Sequence, residues 1–283
     1  MKNLQLTHNS LGFEIIRELT NQNTSLQSTY SSCITIGYVV SGAKNIYFNG
    51  KQTTIVANNL FILGIGTHYE EDIVSEDGTF EQISFQIAPQ RLQQVLFSLS
   101  VNFGISLPAK SKYSSIFDSR FSVIPADEQL HNLFASINNV SQYTDTIKRI
   151  KLNELIYLLA TSGNDTIKEM LLRYSDSKTA RFIATIHENI FENITLQALA
   201  AKTNCSLTTF KKNFNLIFGA SPRRWIIKQR LDRSKFLLQS IEQTISEIAY
   251  KCGFANVSHF IKLFKLHFGG TPKEFRRQGP FCE

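Results

Sequence analysis

Two stretches near the C-terminus follow one pattern: residues 210–222 read FKKNFNLIFGASP, and residues 260–272 read FIKLFKLHFGGTP. Each has three phenylalanines at intervals of four residues, then glycine, a small residue, serine or threonine, and proline. Phenylalanines four apart drift by only about 40° per step around an α-helix, so the three share one face. The pattern predicts a helix with a buried aromatic face, a stop at Gly219 or Gly269, and a new helix beginning at the proline.

A shorter helix is predicted before each of these helices. TLQALAAKT (195–203) matches TISEIAYKC (244–252), and both begin with a threonine that is suitable as an N-cap. Asn204 and Gly253 follow at the same offset, and both residue types tolerate the left-handed conformation of a tight turn. Helix, tight turn and helix make a helix-turn-helix unit, so the sequence predicts two such units.

A basic segment, PRRWIIKQRLDRSKFLLQ (222–239), connects the two units. Its apolar residues recur at helical intervals, which predicts a linker helix. About 18 residues at about 1.5 Å each would span roughly 27 Å, and major grooves recur on one side of DNA every roughly 34 Å. We therefore expect the linker helix to place the two units in neighbouring grooves of one duplex.

The second helix of each unit carries polar and cationic side chains opposite its phenylalanines, with no acidic residue among them. A solvated face usually mixes charges, so this face predicts DNA contact, in which polar groups meet base edges and lysines meet phosphates or guanine. We expect Thr208 and Ser258 to face bases, and Arg230, Arg233 and Lys265 to face phosphates. The full predicted DNA-binding set is Ser206, Leu207, Thr208, Lys211, Lys212, Asn215, Arg230, Arg233, Asn256, Val257, Ser258, His259, Lys262 and Lys265.

The first hundred residues are typical of β-structure. CITIGYVVSG (33–42), LFILGIG (60–66) and TFEQISFQIA (79–88) read as strands, and Asn49-Gly50 marks a hairpin. Short strands at this spacing predict an antiparallel sandwich or barrel. The interior of such a barrel is either filled by side chains or holds one small ligand. For an effector, the predicted contacts are Ile36, Tyr38, Phe48, Phe61 and Leu63.

Helical periodicity follows, with a helix predicted to begin near Pro89 and two amphipathic helices between 126 and 162. These two helices either cap the core or form a dimer seam. For a homodimer, the candidate contacts are Leu152, Leu155 and Leu159.

Charge divides the chain into two parts. Residues 1–165 carry 11 basic and 14 acidic residues, a net charge of −3, whereas residues 166–283 carry 19 and 9, a net charge of +10. This asymmetry is typical of a polyanion-binding module joined to a module with another task. We predict a regulatory and dimerisation domain over 1–165, a linker over 166–178, and a DNA-binding domain over 179–283.

Other features predict a cytoplasmic protein without a membrane span. The first residues are polar, and no apolar run approaches the roughly 18 residues that a membrane helix needs. The four cysteines, Cys33, Cys205, Cys252 and Cys282, are scattered, which favours a reducing compartment over a disulfide or zinc framework. We expect no cofactor and no metal.

Residues 179–278 resemble the AraC/XylS family of bacterial transcription regulators. The resemblance is strongest in the second unit, ISEIAYKCGFANVSHFIKLFKLHFGGTPKEFRR (245–277), where His259 replaces a usual tyrosine and Phe275-Arg276 fits the usual ending. The resemblance implies a sequence-specific activator that acts with RNA polymerase. It also implies an N-terminal domain that dimerises and responds to a small effector or a regulatory protein.

The expected fold is therefore α+β. It combines an N-terminal cupin-like antiparallel β-barrel with helices, and a C-terminal all-α domain with two helix-turn-helix units joined by a linker helix.

Two alternative functions stay open. A metal-dependent cupin enzyme fused to a DNA-binding domain would need clustered ligands such as His-x-His with a carboxylate, and the β-region offers only His8 and His68. An architectural protein that bends DNA would insert apolar wedges into the minor groove. Leu207 and Val257 could serve as wedges, or could pack against their own domain. We predict no enzymatic activity.

Overall fold

The computed structural model describes residues 2–4, 10–48, 51–105, 121–137, 139–238 and 243–277. The chain forms two compact units that divide between Ala184 and Thr185. The first unit combines strands with helices, and the second is built from helices. This arrangement confirms the predicted α+β class.

The strands of the first unit form two five-stranded sheets, with the orders β1-β3-β8-β5-β6 and β10-β7-β4-β9-β2. Neighbouring strands are antiparallel, except that β1 runs parallel to β3. β5 and β6 pair antiparallel with Phe48 opposite Lys51, and the turn predicted at Asn49-Gly50 between them lies outside the described residues. The strands are β1 Lys2–Leu4, β2 Phe13–Thr20, β3 Gln27–Ser31, β4 Ile34–Ser41, β5 Ala43–Phe48, β6 Lys51–Val56, β7 Asn59–Leu63, β8 Gly66–Ile73, β9 Phe80–Ile87 and β10 Phe121–Pro125.

The space between the two sheets is apolar in one part and polar in another. The apolar part is a cluster of Val39, Ile46, Ile55, Phe61, Leu63 and Phe80, which come from both sheets. The polar part contains Lys44, whose ammonium group lies 3.1 Å from Glu70 and 2.5 Å from Asp72. Thr29 donates a further hydrogen bond of 2.7 Å to Glu70.

The protonation states of this polar group follow from burial and charge. Burial alone would raise the pKa of Glu70, but the charge of Lys44 and hydrogen bonds from Thr29 and Lys44 lower it below its usual value. Burial alone would lower the pKa of Lys44, whereas the charges of Glu70 and Asp72 raise it. The ion pair between Lys44 and Glu70 is therefore maintained although both side chains are buried.

Among the residues that the structure describes, five α-helices and one short 3₁₀-helix complete the elements that begin in the first unit. They are α1 Pro89–Phe103, α2 Glu128–Ala135, the 3₁₀-helix Val140–Gln142, α3 Asp145–Thr161, α4 Asp165–Ser175 and α5 Ser177–Asn189. Pro89 occupies the start of α1 as predicted. α3 buries Leu152, Leu155 and Leu159 in the unit's own core, where each is at most 1% exposed. These three leucines are therefore not dimer contacts, and that prediction was wrong.

The segment predicted as a linker, 166–178, is helical and lies in α4 and the first residues of α5. Ile167, Met170 and Tyr174 are fully buried. A Cβ atom placed on Gly64 would lie only 1.8 Å from the Tyr174 hydroxyl, so Tyr174 packs directly on the backbone between β7 and β8. Because α4 supplies core side chains, the first unit extends beyond the predicted limit of 165, as far as Ala184.

Among the described cysteines, Cys33 and Cys252 are buried and Cys205 is half-buried, and all three are free thiols. Burial raises the pKa of Cys33 to about 11. The two buried cysteines behave as small apolar residues.

We predict that Lys44→Met destabilises the first unit by roughly 3–5 kcal/mol, because it leaves two buried carboxylates without their cation. Lys168→Met is the control, since Lys168 lies 3.9 Å from a largely exposed Asp165 and such surface pairs contribute about 0–1 kcal/mol. Urea unfolding followed by circular dichroism would measure this change. Fluorescence of Trp225, the single tryptophan, would report unfolding of the second unit separately, because Trp225 lies there. Equal stabilities of the two variants would contradict a role for the ion pair.

Candidate nucleic-acid interface

In the described part of the second unit, six helices follow the end of α5, and they form two equivalent sets of three. They are α6 Leu196–Lys202, α7 Leu207–Phe218, α8 Pro222–Leu237, α9 Ile245–Lys251, α10 Val257–Phe268 and α11 Pro272–Arg277. α6 and α7 form the first helix-turn-helix, and α9 and α10 form the second, as predicted.

Local backbone signals place the boundaries of these helices. The turns before α7 and α10 contain Asn204 and Gly253, both with positive φ. Thr244 is the N-cap of α9, as the sequence predicted, and it forms a full capping box with Glu247. Gly219 ends α7 in the left-handed conformation, and its N–H donates to the carbonyl of Asn215 at 2.8 Å. The predicted starts and stops are thus confirmed.

The aromatic residues of α7 and α10 face the cores of their own helix-turn-helix units. Phe210, Phe214, Phe260 and Phe264 are 0% exposed. In the first helix-turn-helix, Phe214 and Phe218 lie 4.4 Å apart, and Trp225 of α8 lies 4.4 Å from Phe218. In the second, Phe264 and Phe268 lie 4.6 Å apart, and Phe275 of α11 lies 5.9 Å from Phe264. This packing leaves the opposite side of each helix exposed.

That opposite side is mainly polar and cationic. We call the exposed sides of α7 and α10 the two reading faces. No residue of either helix is acidic. The predicted DNA-binding residues exposed on these faces are Thr208, Lys211, Lys212 and Asn215 in α7, and Ser258, His259, Lys262 and Lys265 in α10.

Four of the other predicted contacts have structural tasks at the helix starts. Ser206 accepts a hydrogen bond from the N–H of Thr209, and Asn256 accepts one from the N–H of His259, so both are N-caps that position the helices. Leu207 and Val257 are half-buried, and Val257 packs against the core of the second helix-turn-helix. Val257 thus has a packing role, which is one of the two outcomes that the sequence left open.

Arg230 does not have the exposed position expected of a phosphate contact. Its guanidinium donates to the backbone carbonyls of Ile190, Gly253 and Glu192 at 2.6, 2.7 and 2.6 Å. Burial lowers the pKa of Arg230 from its usual value. The prediction for Arg230 was therefore wrong: this residue joins three segments of the second unit. The sequence around Arg230 does not distinguish it from an arginine on the protein surface.

Arg233 lies one helical turn further along α8, with its guanidinium 4.1 Å from the centre of the Phe191 ring. This distance is that of a cation–π contact. Its predicted phosphate contact stays a prediction.

Four of the five predicted effector residues lie on two different sides of one sheet, whereas Phe48 belongs to a strand of the other sheet. Tyr38 stacks on Phe134 of α2 with ring centres 4.7 Å apart, and its hydroxyl donates to Asn58 at 2.8 Å. Ile36 points the same way, because side chains two apart in a strand share a face. These two residues thus pack on the helical side of the sheet and not between the sheets, which corrects their assignment.

Phe61 and Leu63 do face the space between the sheets, whereas the side chain of Phe48 lies outside the described residues. The Phe61 ring fills the position above Gly37, where an added Cβ atom would be 2.1 Å from it. Between the sheets lies a cavity of about 30 Å³ that is lined mainly by polar side chains of both sheets. That volume holds about one or two water molecules, so the described side chains fill this part of the space between the sheets.

The fold and the two reading faces define the class of protein as a double helix-turn-helix regulator. Residues 199–278 match the family model described as a helix-turn-helix domain, and residues 34–171 match the ExsA N-terminal regulatory domain. The chain belongs to the AraC/XylS family of transcription regulators.

Similar proteins include two from Yersinia. The chain is 30% identical over 158 residues to the virulence regulon transcriptional activator VirF of Yersinia enterocolitica, covering 55% of this chain and 58% of VirF. The thermoregulatory protein LcrF of Yersinia pestis matches with the same identity and coverage. The matched region thus spans less than two thirds of these relatives. The crystal structure of an apo ToxT variant from Vibrio cholerae has the same fold, with a TM-score of 0.50, 16% identity, and coverage of 98% of this chain and 99% of ToxT.

We predict that Arg230→Met lowers the stability of the second unit by roughly 2–3 kcal/mol, because three charge-assisted hydrogen bonds to backbone carbonyls are lost. Thermal unfolding followed by Trp225 fluorescence would measure this change. Arg224→Met, an exposed change in the same helix, serves as the control. A variant with an unchanged melting temperature and a salt dependence of DNA binding reduced by one phosphate contact would instead restore Arg230 to the DNA surface.

Proposed function

We propose that this protein is a sequence-specific DNA-binding transcription activator that is controlled through its first unit. The observation that carries the proposal is the pair of equivalent reading faces, each exposed, mainly polar or cationic, and without an acidic residue. α8 has 16 residues, which at about 1.5 Å each span roughly 24 Å. This length supports binding of α7 and α10 in successive major grooves on one side of the duplex.

The relatives support activation as the outcome of DNA binding, because VirF is described as a transcriptional activator. An activator acts through RNA polymerase, so we propose RNA polymerase as a partner and the bacterial cytoplasm as the location. Within the ranges that the structure describes, no helix has the length and apolar character required to cross a membrane. In the same ranges, no group of three or more His, Cys, Asp or Glu side chains is placed to hold a metal ion.

Control through the first unit is proposed to act at its surface. The cavity of about 30 Å³ between the described parts of the two sheets is smaller than a small organic molecule requires. A regulatory protein or a small effector that binds outside the sheets fits this geometry better than an effector enclosed between them.

The surface proposed for dimerisation is the exposed apolar side of α1 and α3. Phe97 and Ile150 are 72% and 53% exposed. The rings of Phe103 and Tyr157 lie 5.9 Å apart and connect the two helices. Exposed apolar side chains that occur together mark interaction sites more often than scattered ones do. This surface replaces the buried leucines of α3 as the proposed dimer contact.

Lys265 and Ser258 test the two kinds of DNA contact. We expect Lys265→Ala to weaken binding to specific and random DNA alike, and to lower the slope of log affinity against log salt by about one unit. Ser258→Ala should keep the salt slope and relax base preference at one position, because a base-edge contact carries sequence information. Operator selection from random DNA, followed by fluorescence anisotropy at several salt concentrations, would measure both effects.

Lys168→Ala is the control, because Lys168 lies in the first unit. Selection that yields no defined operator would overturn the proposed function. Loss of base preference in Lys265→Ala with an unchanged salt slope would reverse the assignment of the two residues.

We predict that Phe97→Lys and Ile150→Lys convert a dimer to a monomer, because each places a charge in an apolar interface. Sedimentation would show the change in mass. Gel shifts should show roughly a hundredfold or greater loss of affinity for DNA with two sites and little change for DNA with one. Val56→Lys, at a 55% exposed position on β6, is the control. Dimers that persist in both variants would exclude this surface.

A further inference from the structure

Two leucines lie on the reading faces without any role in the core. Leu216 is 47% exposed and Leu266 is 82% exposed. They occupy the same position of the repeated pattern, each two residues after the buried Phe214 or Phe264. Two residues correspond to about 200° around a helix, so each leucine points away from its phenylalanine. The equivalence of the two positions shows that this exposure is a feature of the repeat.

The neighbours of these leucines are cationic or polar. Lys212 and Lys262 precede Leu216 and Leu266 by four residues and therefore lie one turn away on the same side. Lys265 is adjacent to Leu266 and exposed. A partner for this surface must offer a small apolar group with negative charge around it. The major groove does so where a thymine 5-methyl group lies between the two phosphate backbones.

We propose that Leu216 and Leu266 determine specificity by contacting the 5-methyl groups of two thymines, one in each of two successive major grooves. The operator then carries thymine at equivalent positions about 10 base pairs apart, the repeat of one helical turn. This inference rests on the proposed function and adds an apolar contact to the polar and cationic ones.

Deoxyuridine tests the contact directly, because it differs from thymidine only by the absent methyl group. With the full chain and its selected operator, each thymine would be replaced singly by deoxyuridine and affinities measured by anisotropy. We expect two replacements, about one helical turn apart, to weaken binding by roughly fourfold each, the effect of one buried methylene-sized group. Leu266→Ala should abolish the loss at one of these thymines and keep it at the other, and Leu216→Ala should do the reverse.

Leu266→Met and Leu216→Met keep an apolar side chain and should retain sensitivity to the methyl group. Leu19→Ala, which changes a leucine 65% exposed in the first unit, should retain both losses. Leucine variants that respond to every deoxyuridine replacement as the unchanged protein does would overturn the inference while leaving the proposed function intact. Leucine variants that bind the operator normally but no longer activate transcription would also overturn the inference, and would assign the leucines to a protein partner. Absence of any defined operator would remove both proposals together.

Discussion

The burial of Phe214 and Phe264 determines which side of each helix-turn-helix is available to DNA. Each ring is fully enclosed, and each contacts aromatic rings both in its own helix and in the helix that follows. Burying such a ring contributes about 1.5–3 kcal/mol. Rotation of α7 or α10 would lose these contacts and expose aromatic surface. The orientation of the reading faces is therefore a consequence of aromatic packing on their opposite sides.

The repeat continues beyond the three phenylalanines. Trp225 and Phe275 both lie three residues after the proline that begins the next helix. Trp225 is 5.5 Å from Phe214, and Phe275 is 5.9 Å from Phe264. The glycine stop and proline start between them thus bring a fourth aromatic residue back onto the same cluster. Each pattern specifies a recognition helix together with the helix that supports it.

The second turn requires glycine for a reason that the first turn does not share. A Cβ atom on Gly253 would lie 2.8 Å from the carbonyl oxygen of Phe191 and 3.0 Å from the Arg230 guanidinium carbon. Glycine at this position lets Arg230 reach the Gly253 carbonyl and the carbonyls of Ile190 and Glu192. Arg230 consequently holds α8, the turn before α10 and the end of α5 together.

The repeated helices could be predicted from sequence because their signals are local. Glycine after the third phenylalanine and proline three residues later determine where each helix ends and begins. The position of Arg230 depends instead on distant segments, since carbonyls about 40 residues away bind it. The position of Leu152 was not predicted because helix periodicity does not show which face of α3 is covered. The same limit applies to Ile36 and Tyr38, because alternation in β4 separates two faces but does not tell which one meets the other sheet. Leu216 and Leu266 were visible in the repeated pattern itself, as apolar residues at equivalent positions off the phenylalanine face.

We propose that one chain places its two recognition helices in neighbouring grooves of the duplex. Hydroxyl-radical footprinting of the full chain on its selected operator measures this arrangement. For each chain bound, we expect two protected segments on one face of the duplex, about 10 base pairs apart. Replacing Lys212 and Thr208 by alanine should weaken one segment, and replacing Lys262 and Ser258 should weaken the other. A single protected segment for each chain, or uniform protection along the DNA, would contradict this placement of the helices.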